Sequence, residues 1–197
     1  MAMTASEIRG NKNGNIAICV FCASSDHVAP EFVQTARFLA AAMALRGMAL
    51  IYGGGNNGLM GVLSSEMYEK KGRIIGVITS NLKELGFAFE GADEMIVTDG
   101  MRERKAIMED RADGFICLPG GFGTLEELLE IITFKQLGLH TKPIVLLNAH
   151  GFFDNLLRQF ETGFAEHFID EIFRDLYHVT HNVDDALDYI SLHCSGV

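Results

Sequence analysis

From Pro119 to Glu127 the chain reads Pro119-Gly120-Gly121-Phe122-Gly123-Thr124-Leu125-Glu126-Glu127, between an apolar run and a helix-periodic stretch. Glycines at such a junction let backbone N–H groups converge without obstruction by Cβ atoms. A helix opening there adds partial positive charge and unsatisfied donors, so the segment suits a phosphate monoester without a cluster of lysines. For a single glycine pair, a tight strand-to-helix turn that merely needs positive φ is an equally good reading. Three glycines with a proline and a threonine favour the anion cradle.

A second glycine-rich loop, Gly53-Gly54-Gly55-Asn56-Asn57-Gly58, follows another apolar run, and a third polar loop is Cys22-Ala23-Ser24-Ser25-Asp26. The second contains G-x-G-x-x-G, the spacing of a dinucleotide-binding turn. It does not follow the first strand, however. The next apolar run also ends at Val77-Ile78-Thr79-Ser80 with no acid to grip a ribose hydroxyl, which disfavours hydride transfer. No G-x-x-x-x-G-K-[ST] is present, which disfavours a P-loop nucleoside triphosphatase.

Two charged groups stand out, each with two readings. Glu127 lies three residues after Thr124, so it either completes a capping box or acts as a catalytic carboxylate. Arg102, Arg104 and Lys105 open another helix, where cations oppose the dipole. Either Glu103, Glu109 and Asp110 neutralise them on an exposed face or an anion sits nearby. Glu126 and Glu130 fall outside the apolar stripe of Leu125, Leu128, Leu129 and Ile132 and are expected to be solvated.

The elements that must position these groups alternate. Strands are expected at 16–21, 48–52, 74–78, 95–97, 114–118 and 144–147, and helices at 31–46, 59–71, 101–111, 124–139, 152–167 and 183–190, the last capped by Asn182. Most strand candidates are continuous apolar runs, as in strands covered on both faces. The fold class is therefore α/β: a Rossmann-like open parallel sheet with helices on both faces, in one domain over 16–197. Residues 1–15 read as a flexible leader. In such sheets ligands sit at the carboxyl ends of the strands, where all three loops lie.

The net charge of −10 argues against a nucleic-acid backbone as partner. No apolar run reaches the roughly 18 residues of a membrane span, and no hydrophobic signal segment opens the chain. Of the four cysteines, Cys19, Cys22 and Cys117 lie in or beside apolar runs, as small core side chains do. Cys19-x-x-Cys22 ends a strand and does not open a helix, which disfavours redox chemistry. A soluble, cytoplasmic protein is expected. The seven histidines are dispersed, and no metal site is expected.

Several blocks together, Gly53-Gly54-Gly55 with Gly58-Leu59-Met60-Gly61, Met101-x-Glu103-Arg104-Lys105, the Pro119–Glu127 segment, Gln136-Leu137-Gly138-Leu139-His140 and Lys142-Pro143-Ile144, resemble the Lonely Guy family. These are cytokinin-activating phosphoribohydrolases, long labelled lysine decarboxylases, and the likeness runs from Ile16 to Ile169. The resemblance implies a homodimer that uses water to cleave N6-modified AMP, or AMP, into free base and ribose 5-phosphate. It implies Arg104 and Glu127 as catalytic residues and places Lys105 in the substrate-binding stretch. The phosphate would lie on Gly120, Gly121, Gly123 and Thr124, with Ser24, Gly54, Gly55 and Pro119 completing the substrate-binding set.

Loss of a purine leaves an oxocarbenium-like ribosyl centre that a carboxylate stabilises, so Glu127 fits that role or that of general base. Arg104 would hold the phosphate or another developing negative charge. Neither role requires a metal or cofactor. The chain departs from the family pattern at Arg102, where histidine is usual, and at Gly86, which aligns with a frequent glutamate. The alternative function is a non-catalytic nucleotide-binding or carrier protein on the same fold. A decarboxylase would need a Schiff-base lysine for pyridoxal phosphate, and the sequence offers no persuasive one.

Overall fold

The protein is described by a computed structural model over residues 15–194, so the leader expected at 1–15 lies, except for Asn15, outside the described residues. Strands β1 (Ala17–Phe21), β2 (Ala49–Tyr52), β3 (Ile74–Thr79), β4 (Glu94–Thr98), β5 (Gly114–Cys117), β6 (Ile144–Leu147) and β7 (His178–Thr180) form one sheet in the order β4-β3-β2-β1-β5-β6-β7. Every neighbouring pair is parallel. The helices are α1 (Pro30–Leu45), α2 (Gly58–Glu69), α3 (Ser80–Glu84), α4 (Met101–Arg111), α5 (Phe122–Gln136), α6 (Asp154–Ala165) and α7 (Val183–Cys194). None of them is long and apolar enough to cross a membrane.

Alternation along the central strands builds two cores. Ile18 and Val20 of β1, with Leu50 and Tyr52 of β2, face a cluster supplied by α1, α2 and α7. Ala17, Cys19 and Phe21, with Ala49 and Ile51, face the cluster of Met108, Leu128 and Ile131 from α4 and α5. Each large side chain so buried contributes roughly 1.5–3 kcal/mol. This two-sided burial explains why the strands read as unbroken apolar runs.

Strand order reverses at β1, whose neighbours are β2 and β5, so the loops leaving β1 and β5 diverge and open a crevice at their carboxyl ends. The β1 and β2 loops are interlocked. Leu59 N–H donates to the Ala23 carbonyl at 2.9 Å, Asn57 Nδ2 to the Ser24 carbonyl at 2.9 Å, and Gly58 N–H to the Asp26 carboxylate at 2.6 Å. Gly58 has φ +57°, and a Cβ there would lie 2.5 Å from the Ser24 carbonyl carbon, so only glycine permits this approach.

Boundaries differ where local signals mislead. Helix α5 starts at Phe122, two residues before the expected Thr124, and its cap is Gly121. It ends at Gln136, not Leu139, because Gly138 adopts φ +72°. Helix α6 starts at Asp154, after a 3₁₀ turn over Ala149–Gly151. Asn182 does cap α7, its Oδ1 accepting from the Asp184 and Asp185 N–H groups at 2.7 and 3.2 Å. The short β7 and α3 are additions to the expected set.

Candidate active site

The crevice holds a cavity of about 370 Å³, lined from the loop after β1 by Cys22 and Ser24, from the β2 loop by Gly53, Gly55 and Asn57, and from the β5 loop and α5 by Gly121, Gly123, Thr124 and Glu127. Helix α4 contributes Met101, Arg104 and Met108. Among the described residues, Arg104 and Glu127 are the only ionisable groups lining it besides Cys22.

Their pairing follows from topology. Helix α4 enters β5 and α5 leaves it, so both pack on the same face of the sheet and meet above the crevice. Arg104 Nη1 lies 3.3 Å from Glu127 Oε1, with side chains 10% and 13% exposed. Arg104 Nε donates to the Val77 carbonyl at 2.9 Å, which ties the guanidinium to β3. Gly53 makes room for it, since a Cβ there would fall 2.0 Å from Arg104 Nη2.

Glu127 therefore does not cap α5; its carboxylate turns to Arg104, and the capping-box reading is set aside by where the helix begins. The cationic start of α4 is balanced partly from within and partly by α5. Glu103 folds back to the Asp99 N–H at 3.0 Å, while Lys105 Nζ is held by Glu126 and, at 2.8 Å, by Glu130. Glu126, 57% exposed, and Glu130, 31% exposed, keep contact with solvent as expected and in addition brace α4 against α5 through Lys105. Lys105 faces these partners outside the cavity lining.

Two long helices open toward the crevice, and their N-termini differ. That of α2 is already filled by the Asp26 carboxylate. That of α5 is capped by Gly121, which has no side chain to offer, and carries no acid in its first turn. Open N–H donors at a helix N-terminus, flanked by Gly121 and Gly123 whose Cβ positions are empty, have the geometry and charge that suit an anion.

Burial pushes the Glu127 carboxyl above the usual 4.5, a rise that Arg104 only partly offsets. Burial likewise drives the Cys22, Cys19 and Cys117 thiols far above their usual range, with Glu127 adding to each, so these thiols stay protonated and unreactive. Among the described residues no group of three or more His, Cys, Asp or Glu side chains is placed to hold a metal ion.

Of the expected site residues, Ser24, Gly55, Arg104, Gly121, Gly123, Thr124 and Glu127 line the cavity together. Gly54, Pro119 and Gly120 stand behind it. Gly54 packs its Cα against Gly76, the Pro119 carbonyl accepts from the Ala23 N–H at 3.2 Å, and Gly120 leaves room for the buried Thr124 side chain. Sequence reasoning missed the apolar lining of Val20, Phe21, Met60, Ile78 and Leu82. Each reads as core, and only convergence from separate elements marks it as a wall.

A sequence model of the family described as "Possible lysine decarboxylase" matches residues 60–190. The chain is 42% identical over 179 residues to the probable cytokinin riboside 5'-monophosphate phosphoribohydrolase LOG4 of Oryza sativa subsp. japonica, covering 91% of this chain and 78% of that protein. It is 43% identical over 157 residues to the Arabidopsis thaliana phosphoribohydrolase LOG2, covering 80% of this chain and 74% of that protein. Among solved structures, a molybdenum cofactor binding protein from Rippkaea orientalis superposes with TM-score 0.70 at 23% identity, covering 92% of this chain and 98% of that one. The molybdenum cofactor carrier protein of Chlamydomonas reinhardtii gives TM-score 0.69 at 21% identity, over 92% and 99%. At such identities these two structures share the fold alone with this chain. The sequence relatives go further, and this chain belongs to the Lonely Guy family of cytokinin riboside 5'-monophosphate phosphoribohydrolases.

Proposed function

We propose that the chain hydrolyses the N-glycosidic bond of a purine nucleoside 5'-monophosphate, adenosine or N6-modified adenosine, giving free base and ribose 5-phosphate. The observation that carries this reading is a buried Arg104–Glu127 pair facing a cavity that also receives the uncapped N-terminus of α5. The phosphate is assigned to the α5 N-terminus at Gly121, Gly123 and Thr124. The ribose then reaches Glu127, less than two turns along the same helix.

In the reaction the C1'–N9 bond breaks, its electron pair leaves with the purine, and a water oxygen forms the new bond to C1'. Glu127 stabilises the positive ribosyl centre and takes a proton from the water, while Arg104 fixes the carboxylate and offsets negative charge on the substrate. The departing purine takes up one proton. The relatives named above as phosphoribohydrolases support the same bond cleavage.

The decarboxylase reading lacks its nucleophile, since among the described residues no lysine lines the cavity. Incubation with AMP and N6-isopentenyl-AMP, followed by chromatography of the base, tests the proposal. Release of adenine or isopentenyladenine is expected, and tight binding without release from either nucleotide would favour a carrier.

A homodimer is part of the proposal. Phe122 is 95% and Leu129 42% exposed, seven residues apart on one face of α5, beside Met101, which is 50% exposed on α4. Covering such side chains with a second copy removes their apolar area from water. Light scattering is expected to give about twice 21.6 kDa, and a monomer at micromolar concentration would refute the pairing. Four free cysteines are compatible with the cytoplasmic location expected of the chain.

A further inference from the structure

Strand β3 runs directly into α3, and the chain then doubles back across the glycine loop of β2. The reversal is a Schellman turn: Phe87 N–H bonds the Leu82 carbonyl at 3.1 Å, Gly86 N–H bonds the Lys83 carbonyl at 3.0 Å, and Gly86 sits at φ +80°. In this motif the residue after the left-handed glycine folds back toward the third residue from the helix end. Those two residues are Phe87 and Leu82, and both line the cavity.

The returning segment 86–89 is a strap fastened to the glycine loop. Asn56 N–H donates to the Phe87 carbonyl at 2.9 Å, and Phe89 N–H donates to the Gly54 carbonyl at 3.0 Å. Gly55 and Ala88 form an isolated antiparallel bridge. Asn56 Nδ2 donates to the Gly86 carbonyl at 3.1 Å and reaches the Ala88 carbonyl at 3.5 Å. The backbone N–H and the side-chain amide of one residue are thus both committed to the strap. Phe89 anchors its far end by an edge contact with Tyr68 of α2.

Phe87 remains 41% exposed although its backbone is fixed. Its ring is therefore held at the cavity without being consumed by the core. It shares the cavity with the uncharged side chains of Leu82, Ile78, Met60, Met101 and Met108, of which Met101 lies 3.2 Å from Arg104 Nη1, so the apolar lining of Phe87 and Leu82 runs up to the ionisable groups, Arg104 and Glu127, and the α5 N-terminus.

We propose that Leu82 and Phe87, joined by this turn and held over the cavity by Asn56, are specificity-determining residues that favour a nucleotide whose base carries an apolar substituent on its exocyclic nitrogen. Asn56 is a positioning residue in this scheme. The inference rests on the hydrolase reading above and adds to it the residues that choose between substituted and unsubstituted bases.

The test compares kcat/KM for N6-isopentenyl-AMP and for AMP in the wild type, Phe87→Ala, Leu82→Ala and Asn56→Ala. Calorimetry of both nucleotides is run on the same samples. Phe87→Ala is expected to lower the preference for the substituted nucleotide about tenfold, the equivalent of about 1.4 kcal/mol, because kcat/KM falls more for N6-isopentenyl-AMP than for AMP. Leu82→Ala should act in the same direction. Asn56→Ala should raise KM for the substituted nucleotide more than for AMP and leave kcat for both within about twofold.

Equal losses on both nucleotides, or an unchanged preference in Phe87→Ala with hydrolysis intact, would overturn the proposal. If the wild type hydrolyses neither nucleotide, the hydrolase reading fails by itself. The calorimetric preference, lost or kept in Phe87→Ala, then decides the role of the apolar lining.

Discussion

Glu127→Gln is expected to abolish base release, by about 10²–10⁴-fold in kcat, while the protein folds and binds nucleotide as before. Glutamine keeps the shape of the side chain, and its carbonyl oxygen can still accept from Arg104 Nη1, now 3.3 Å from Glu127 Oε1. What it loses is the negative charge and the ability to take a proton from water. If the Glu127→Gln variant kept activity within about threefold of the wild type, Glu127 would have no part in the chemistry.

The pH dependence carries the same assignment. Burial raises the folded-state pKa of Glu127 above 4.5, so between 4.5 and the raised value the native state binds more protons than the unfolded chain. The contribution of this group to stability is thus favourable at low pH and is lost as pH rises through that window. Activity runs the opposite way, because the ionised form is the working one. An acid limb in kcat should therefore lie above the ordinary carboxylate range. It is read in kcat because the free phosphate monoester ionises near pH 6, which also affects binding. Glu127→Gln removes this group's share of both effects. A wild-type kcat with no acid limb above pH 4.5 would contradict the assignment.

The sequence conveyed the fold class more fully than the site. Strands β1, β2, β3, β5 and β6 were legible because burial on both sheet faces fills their runs with apolar residues, whereas β4, a partly buried edge strand, showed only as its apolar centre Met95 to Val97. Helix α4 was legible at both ends, Met101 and Arg111, with Gly100 before it and Ala112 in extended conformation after it. Strand β7 was hidden by its length, since His178–Thr180 is too short to show any period. Helix α3 was hidden likewise, as five residues closed by a turn. The start of α5 was misplaced because Thr124 has the chemistry of a cap, whereas Gly121, with none, holds the position.

At the site, the glycines from Gly120 to Gly123 pointed to the helix after Pro119 as the anion receiver, but not to what distinguishes it from the helix after Gly58. That depended on Asp26, a loop acid whose carboxylate fills the α2 N-terminus 32 residues away and leaves α5 as the open one. The pairing of Arg104 with Glu127 crosses two helices and the strand between them, so it follows only once both helices pack on one face. Lys105 is placed differently from what its position suggested. Its place beside Arg104 in the motif suggested substrate, but on a helix adjacent residues point in different directions, and Lys105 is turned to Glu126 and Glu130.

Gly53→Ala is expected to disable the enzyme almost as fully as Arg104→Ala, about 10²-fold or more in kcat, without altering a single charge. Three consecutive glycines look equivalent in the sequence, yet they differ. Gly54 needs its positive φ of +72°, whereas Gly53 carries none, so alanine at 53 meets no such backbone strain. Its methyl group would nevertheless lie 2.0 Å from Arg104 Nη2 and 3.3 Å from Cζ. The guanidinium must move, breaking its bond to the Val77 carbonyl or its pairing with Glu127. The packing cost should be about 1–3 kcal/mol of stability, measurable by denaturant unfolding and small beside the loss of rate. Gly100→Ala is the control, because it precedes the same helix, has φ −150°, and finds nothing within 4 Å of its Cβ. If Gly53→Ala retains wild-type kcat while Gly100→Ala does too, the position of the guanidinium does not matter to the reaction. If Gly53→Ala alone is inactive yet folded, catalysis depends on where Arg104 is held as well as on its charge.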